Sequence, residues 1–461
     1  MSALLARLTW LVERRFLSLT LGVVALFVAC LIVAALVTWP RMRGFEPEWI
    51  ARNLAAGHGY SFDGVNRWLF TDTSPDLYYP TAWADPVFTV VYAGLMYLFG
   101  ETSRLLMMLV SLASVAGAAV LVALTAQLIA GPWAGLTALL LFLVTARDHS
   151  IKLNASLMAG FCVALMLYYF VRHADRLTPR VAAVLGAMLA LTVLTWSSAM
   201  ILLPAMVLLL FLFAPSLGAA LRLSAVTALV AVLLVAPWTT RNYLAFGEVV
   251  PVRNGSGQIA FIGTVALART FAPDSVAIPV PPPWTASSVF DATSRITRSL
   301  GWQPQDERRA LEAWQRQVAL TVGGPDYQAM NEAQRDRWFL QQAKAFVLEH
   351  PALAIHIGAA NLLQFVLYGS LPVVMAILGI FGVVMGLLLA FRQRLLLIPL
   401  TLLAAYAAPF VIVPAYFFRY RYPIEPAITV LVAVAAMHVA QLSTRRLLPE
   451  LQLSRPGASL G

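Results

Sequence analysis

Apolar runs long enough to cross a bilayer recur from one end of the sequence to the other. Phe16 to Trp39 contains no Asp, Glu, Lys or Arg, and further runs lie at Leu105–Ile129, Ala155–Val171, Leu371–Phe391, Leu395–Val413 and Ile424–Gln441. A hydrocarbon core of about 30 Å takes about 20 helical residues to cross. Its dryness admits only helices and closed barrels as spanning forms. The short alternating segments of a barrel are absent, and the chain is 60% hydrophobic and only 12% charged. The expected fold class is therefore an all-α polytopic membrane protein. It should have about ten to twelve transmembrane helices, interfacial helices and a periplasmic loop region.

The net charge is +10. That excess falls partly in short loops between apolar runs, so membrane orientation explains it more simply than nucleic-acid binding. All basic side chains except Lys152 and Lys344 are arginine. Arg7, Arg14 and Arg15 place the N-terminus on the cytoplasmic side. The same parity puts Arg172, Arg176, Arg180, Arg222, Arg392, Arg394, Arg445 and Arg446 on that side, with the C-terminus. Cys30 and Cys162 lie inside apolar runs and suggest no disulfide framework. The first run is too long for a signal-peptide core and reads as a retained anchor.

These readings divide the chain into a cytoplasmic tail and first transmembrane helix (1–39), a first external loop with interfacial helices (40–102) and a transmembrane core (103–238). A long external region with interfacial helices (239–370), C-terminal transmembrane helices (371–441) and a cytoplasmic tail (442–461) follow. Pro86 to Phe99 is too short to span and reads as interfacial. Ala352 to Tyr368 reads likewise, because His356, Asn361 and Gln364 would be costly at lipid depth. Pro279 to Pro283 should be an extended linker, and Asp306–Arg316 and Asn331–Glu349 have helical periodicity.

Four polar segments then share the external face: Pro40–Gly100, Arg147–Asn154, Thr239–Pro351 and Pro414–Tyr422. The first gathers Glu46, Glu48, Asp63, Asp72, Asp76 and Asp85. Glu46 and Glu48, just beyond the first span, suit a general base acting on an acceptor hydroxyl or amine. They equally suit charges in the first turn of a helix begun by Pro47. Asp85 before Pro86 is also a candidate helix cap, and His58 between two glycines reads as a turn residue. Asp63, Asp72 and Asp76 either bind a cation or solvate a loop. Arg241, Arg253, Arg419 and Arg421 stand beside Trp and Tyr, which suits a lipid phosphate held by bidentate contacts. A belt of aromatics with snorkelling arginines would give a similar pattern.

At these residues the chain resembles the GT-C superfamily of membrane glycosyltransferases, near glycosyltransferase family 39 (protein O-mannosyltransferase and aminoarabinose lipid A transferase relatives). The resemblance rests on the blocks Glu46–Ser61, Pro80–Phe88, Pro237–Pro251 with Arg253–Gly255, Phe346–Pro351 and Arg419–Pro426. It implies inverting sugar transfer from a polyprenyl-phosphate-linked donor to a lipid, glycan or protein acceptor on the external face, among membrane lipids. The family's catalytic acid falls on Glu46, with Asp85 or Glu48 in support. Arg241, Arg253, Arg419, Arg421 and Lys152 would hold the donor phosphate, and His58, Tyr60, Trp83, Asp148, Asn254 and Tyr420 would line the substrate. The family's second acid is offset here to Asp148, with Lys152 and Asn154 nearby. No cofactor is required under this reading, and a divalent cation is left open. A transporter or flippase of lipid-linked sugars, or a catalytically silent scaffold, is the rival expectation.

Overall fold

A computed structural model describes residues 2–38, 45–63, 78–147, 153–261, 263–264, 327, 329–367, 372–411 and 418–453. Asp72, Asp76, Asp148, Lys152, the 279–283 linker and the 306–316 segment lie outside the described residues, as does the side chain of Arg419.

The chain opens with α1 (Ser2–Thr38), broken locally at Arg15 where φ is −117° and ψ is 19°. A short helix α2 (Glu46–Ala55) leads into the antiparallel pair β1 (Ser61–Asp63) and β2 (Tyr78–Pro80), with Ser61 opposite Pro80. Next come α3 (Pro86–Phe99), α4 (Ser103–Ala130), α5 (Pro132–Ala146) and α6 (Ala155–His173). α7 (Pro179–Thr195) ends in a 3-10 turn, Ser197–Ile201, before α8 (Leu202–Phe213) and α9 (Leu217–Phe246). The remaining elements are α10 (Ser256–Phe261), α11 (Glu332–Glu349), α12 (Pro351–Leu367), α13 (Pro372–Ala390), α14 (Leu397–Ala407), α15 (Phe418–Arg421) and α16 (Glu425–Leu453).

Six described helical stretches are long and apolar enough to cross a membrane, and four further apolar helices are shorter. The protein is thus a multi-pass helical membrane protein. One of the six, Pro86–Ala130, is divided at Gly100, whose φ of +53° turns the chain between α3 and α4. Helix starts are set by local chemistry: the side chains of Asn154, Thr178 and Ser216 accept from Ser156, Val181 and Ala219 amides at the heads of α6, α7 and α9.

Two boundaries differ from the sequence expectation. α9 continues through Pro237 and Trp238 to Phe246, ending at Gly247 in the left-handed region (φ +69°). Thr239 to Tyr243 are therefore helical. Proline there removes one helical donor, the amide that would have met Leu233 O. α16 likewise runs beyond Gln441 to Leu453.

Small residues bring the helices together, as packing in lipid favours. A Cβ on Gly186 of α7 would lie 2.5 Å from Thr227 O of α9, and the Thr227 hydroxyl donates to Ala182 O at 3.0 Å across the same contact. Gly160 fits against Tyr422 and Gly382 against Val432 in the same way. Gly186→Val should cost about 1–3 kcal/mol by overpacking and lower the melting temperature in detergent. Gly218→Val, at a site with no atoms within 4 Å of a Cβ, should leave that temperature nearly unchanged.

Candidate active site

The site is assembled on the segment between α2 and α3. Gly57 and Gly59, with φ of +85° and +74°, reverse the chain after α2. His58 between them is exposed, donates its amide to Asn53 O at 2.9 Å, and stacks its ring 3.8 Å from Tyr78. It serves the turn. Tyr60 is buried, donates its hydroxyl to Ala84 O at 2.8 Å, and meets Trp238 edge-on. Burial pushes the Tyr60 hydroxyl well above the usual tyrosine range.

Residues Thr81 and Ala82 are gripped from several distant elements. Arg241 on α9 donates to Thr81 O at 2.7 Å and to Tyr60 O at 2.6 Å, its guanidinium lying over the Tyr60 and Trp238 rings. The Asn254 amide donates to Ala82 O at 2.9 Å. Opposite them stands Glu332, buried in the first turn of α11. It accepts from the Thr81 hydroxyl at 2.7 Å, the Ala82 amide at 2.9 Å and Asn254 Nδ2 at 2.9 Å. Burial raises the Glu332 carboxyl, and the hydrogen bonds from Thr81, Asn254 and Ala82 offset this in part.

Beyond that grip the chain presents Trp83 and Asp85. Asp85 is buried; its Oδ1 accepts the Ser197 amide at 2.9 Å and its Oδ2 lies 3.6 Å from Arg253 Nη1. Burial raises the Asp85 carboxyl, with Arg253 and then Ser197 acting against it. Arg253 sits over the Trp83 ring at 5.6 Å and donates from Nε to Asn254 O. Gly255 (φ +103°) lies close against the same ring. The aromatic wall continues through Trp196, whose ring is 6.0 Å from that of Tyr420. Glu46 heads α2, half-buried, with no ion-pair partner among the described residues. The Phe45 and Phe88 rings, 5.9 Å apart, set that end of α2 beside the first turn of α3.

Asp85, Arg253, Trp83 and Asn254, from two segments remote in the sequence, are thus brought together. Glu48 is not part of this group. It is buried on the flank of α2, paired with Arg104 and, at 3.5 Å, with Arg52. Arg421 is buried too, 2.6 Å from Glu425 and donating to Val366 O. Asp85 makes no side-chain cap to α3. Sequence reasoning overlooked Glu332. Its trace was the Asn331–Gln334 capping box at the head of α11, which marks a fixed first turn but not what that turn holds. Among the described residues no three His, Cys, Asp or Glu side chains are grouped to hold a metal ion.

This helical arrangement is similar to that of a solved archaeal oligosaccharyltransferase. No protein-family model and no curated protein sequence matches the chain. The oligosaccharyltransferase AglB of Archaeoglobus fulgidus, solved with an inhibitory peptide and a dolichol-phosphate, superposes at a TM-score of 0.53 with 14% identity, over 98% of this chain and 53% of that one. The same protein with Zn and sulfate gives 0.52 and 14%, over 95% and 52%. The chain spans about half the length of that oligosaccharyltransferase. ArnT of Cupriavidus metallidurans, bound to undecaprenyl phosphate, gives 16% identity over 89% and 78% at a TM-score of 0.36, too loose to bear weight.

Replacing Glu332 tests its grip. Glu332→Ala leaves three buried donors without an acceptor, each costing about 1–3 kcal/mol, and should unfold the protein in detergent at clearly lower temperature. Glu332→Gln can still accept from Ala82 and Asn254 while donating to Thr81, so its melting temperature should stay close to the parent.

Proposed function

We propose that the protein is a glycosyltransferase that moves a sugar from a polyprenyl-phosphate-linked donor to an acceptor on the external, periplasmic face, with inversion. The observation that carries this reading is the meeting of Asp85 with Arg253 over Trp83 at the Ser197 turn. It is supported by a fold shared with an oligosaccharyltransferase whose structure held a dolichol-phosphate and a peptide. The reading includes a bacterial inner-membrane location, both termini cytoplasmic, ten to twelve spans, and α3 and α12 as interfacial helices.

Glu46 removes the proton from the acceptor as its oxygen or nitrogen attacks the anomeric carbon. The bond from that carbon to the phosphate oxygen breaks, and the polyprenyl phosphate leaves with the electron pair. An arginine already half-neutralised by a carboxylate can turn to meet that growing charge, which is where electrostatic stabilisation has its greatest effect. Arg253 is assigned this part, with Asp85 orienting it and Arg419 and Lys152 reaching the phosphate from the other external segments. Arg241 and Arg421, committed to backbone carbonyls and to Glu425, shape the site instead. Trp83, Asn254 and Tyr420 line it.

A radiolabelled polyprenyl-phosphate sugar in detergent should yield a new covalent product, which transport alone would not. Loss of the general base should slow transfer about 10²–10⁴-fold in Glu46→Gln; near-full transfer by that variant would end its assignment. Burial raises Asp85, so the acid limb of the pH–rate profile should lie above the ordinary aspartate range.

A further inference from the structure

Arg253 reaches Asp85 from a segment that is held on both sides. Just before it, three successive carbonyls are taken by donors on the last turns of α9. Asn242 Nδ2 donates to Val250 O at 3.0 Å and to Val252 O at 3.1 Å, the Thr239 hydroxyl to Pro251 O at 2.7 Å, and Trp238 Nε1 to Val252 O at 2.7 Å. Residues three and four apart share a helix flank, so one rigid element grips this side.

Just after Arg253 the donors belong to the loop and the acceptor is Asp336 of α11. Its Oδ1 accepts the Gln258 amide at 3.0 Å and its Oδ2 the Ser256 hydroxyl at 3.3 Å. The Gly255 and Gly257 amides face the same carboxylate and act against the burial that raises it. The first amides of α10 have no partner within their own helix, and Asp336 meets them. α10 comes this close because residue 257 is glycine: a Cβ there would lie 1.9 Å from Asp336 O.

Asp336 stands one helical turn beyond Glu332, on the same face of α11. Glu332 fixes Thr81 and Ala82, whereas Asp336 fixes the 255–258 turn. Gly255 of that turn lies against the Trp83 ring, and Arg253 sits over the same ring. Two neighbouring carboxylates thus set the two halves of the centre against each other.

Under the sugar-transfer reading, we propose that Asp336 is a positioning residue for Arg253. By fixing the turn that follows, it keeps the guanidinium over Trp83, within reach of Asp85 and of the charge developing on the donor phosphate. An arginine side chain has many rotamers, so its tip stays in register only while its backbone cannot drift. α9 holds one side of that backbone, and Asp336 supplies the second point.

Asp336→Asn keeps the shape but turns one accepting oxygen into a donor, which cannot take an amide proton. In full-length protein in detergent, hydrogen–deuterium exchange across 250–261 should rise about tenfold as that turn opens locally, with α4 and α6 unchanged. In the labelled-donor assay kcat should fall about tenfold or more, since small misplacements are costly in rate. KM for the donor should stay within about twofold, because the contact at stake forms in the transition state. Added to Arg253→Gln, the same substitution should lower kcat less than about twofold further. Gly257→Ala pushes the turn off Asp336 and leaves the carboxylate intact; it should reproduce both the faster exchange and the dependence on Arg253. An equal loss with and without Arg253 would overturn the proposal and make Asp336 a general stabiliser. So would unchanged exchange across 250–261, or full kcat in Asp336→Asn. If the parent protein forms no product, the transfer reading fails and the exchange result alone decides the clamp.

Discussion

The two residues Thr81 and Ala82 have their polar groups claimed from outside their own segment. Arg241 takes the Thr81 carbonyl, Asn254 the Ala82 carbonyl, and Glu332 the Thr81 hydroxyl and Ala82 amide. Buried polar groups left unmatched are expensive, so this stretch has one low-energy arrangement, and it exists only when α9 and α11 have docked. Trp83 and Asp85 follow directly. Their placement is thus a consequence of tertiary assembly, which lets a loop with little regular structure hold a buried carboxylate at a fixed distance from an arginine.

The same dependence separates what the sequence revealed from what it concealed. A bilayer demands long uncharged helices, so α4, α6 and α13 were legible as hydropathy. Pro86 and Gly100 bounded α3 by backbone chemistry alone. The end of α9 was not legible. Thr239, Thr240, Arg241 and Asn242 read as a polar loop, but Arg241 and Asn242 find carbonyl acceptors in folded neighbours and the helix continues through them. An arginine beside Trp238 looks the same in sequence whether it awaits a phosphate or, like Arg241, clamps two carbonyls. Glu332 was hidden because the donors it accepts from, on Thr81, Ala82 and Asn254, lie in segments remote along the chain.

Glu46 and Glu48 illustrate a finer limit. Two residues apart on a helix means roughly opposite flanks, since each residue advances about 100°. Sequence adjacency suggested a shared role, yet the helix turns Glu48 toward Arg104 and Tyr92 and leaves Glu46 at the end beside α3's first turn. The decision between them belongs to helical geometry rather than to composition.

α3 then acts as a spacer between two ion-paired centres. Glu48 meets α3 at Tyr92, about 10 Å along the helix from Asp85, and at that separation two unit charges interact by roughly 0.4 kcal/mol in water and about 1.7 kcal/mol at an effective dielectric of 20. Each centre also pairs a carboxylate with a guanidinium internally, Asp85 with Arg253 and Glu48 with Arg104, so the net field it exerts on the other is weaker than a lone charge would give. Electrostatics therefore couples the two centres only slightly. Any influence of one on the other must pass mechanically along α3, through Phe88 and Tyr92, both fully buried in the core. A rigid, well-packed helix of that kind transmits displacement better than charge, so a change at its Gly100 end would reach Asp85 as a shift in position and not in acidity.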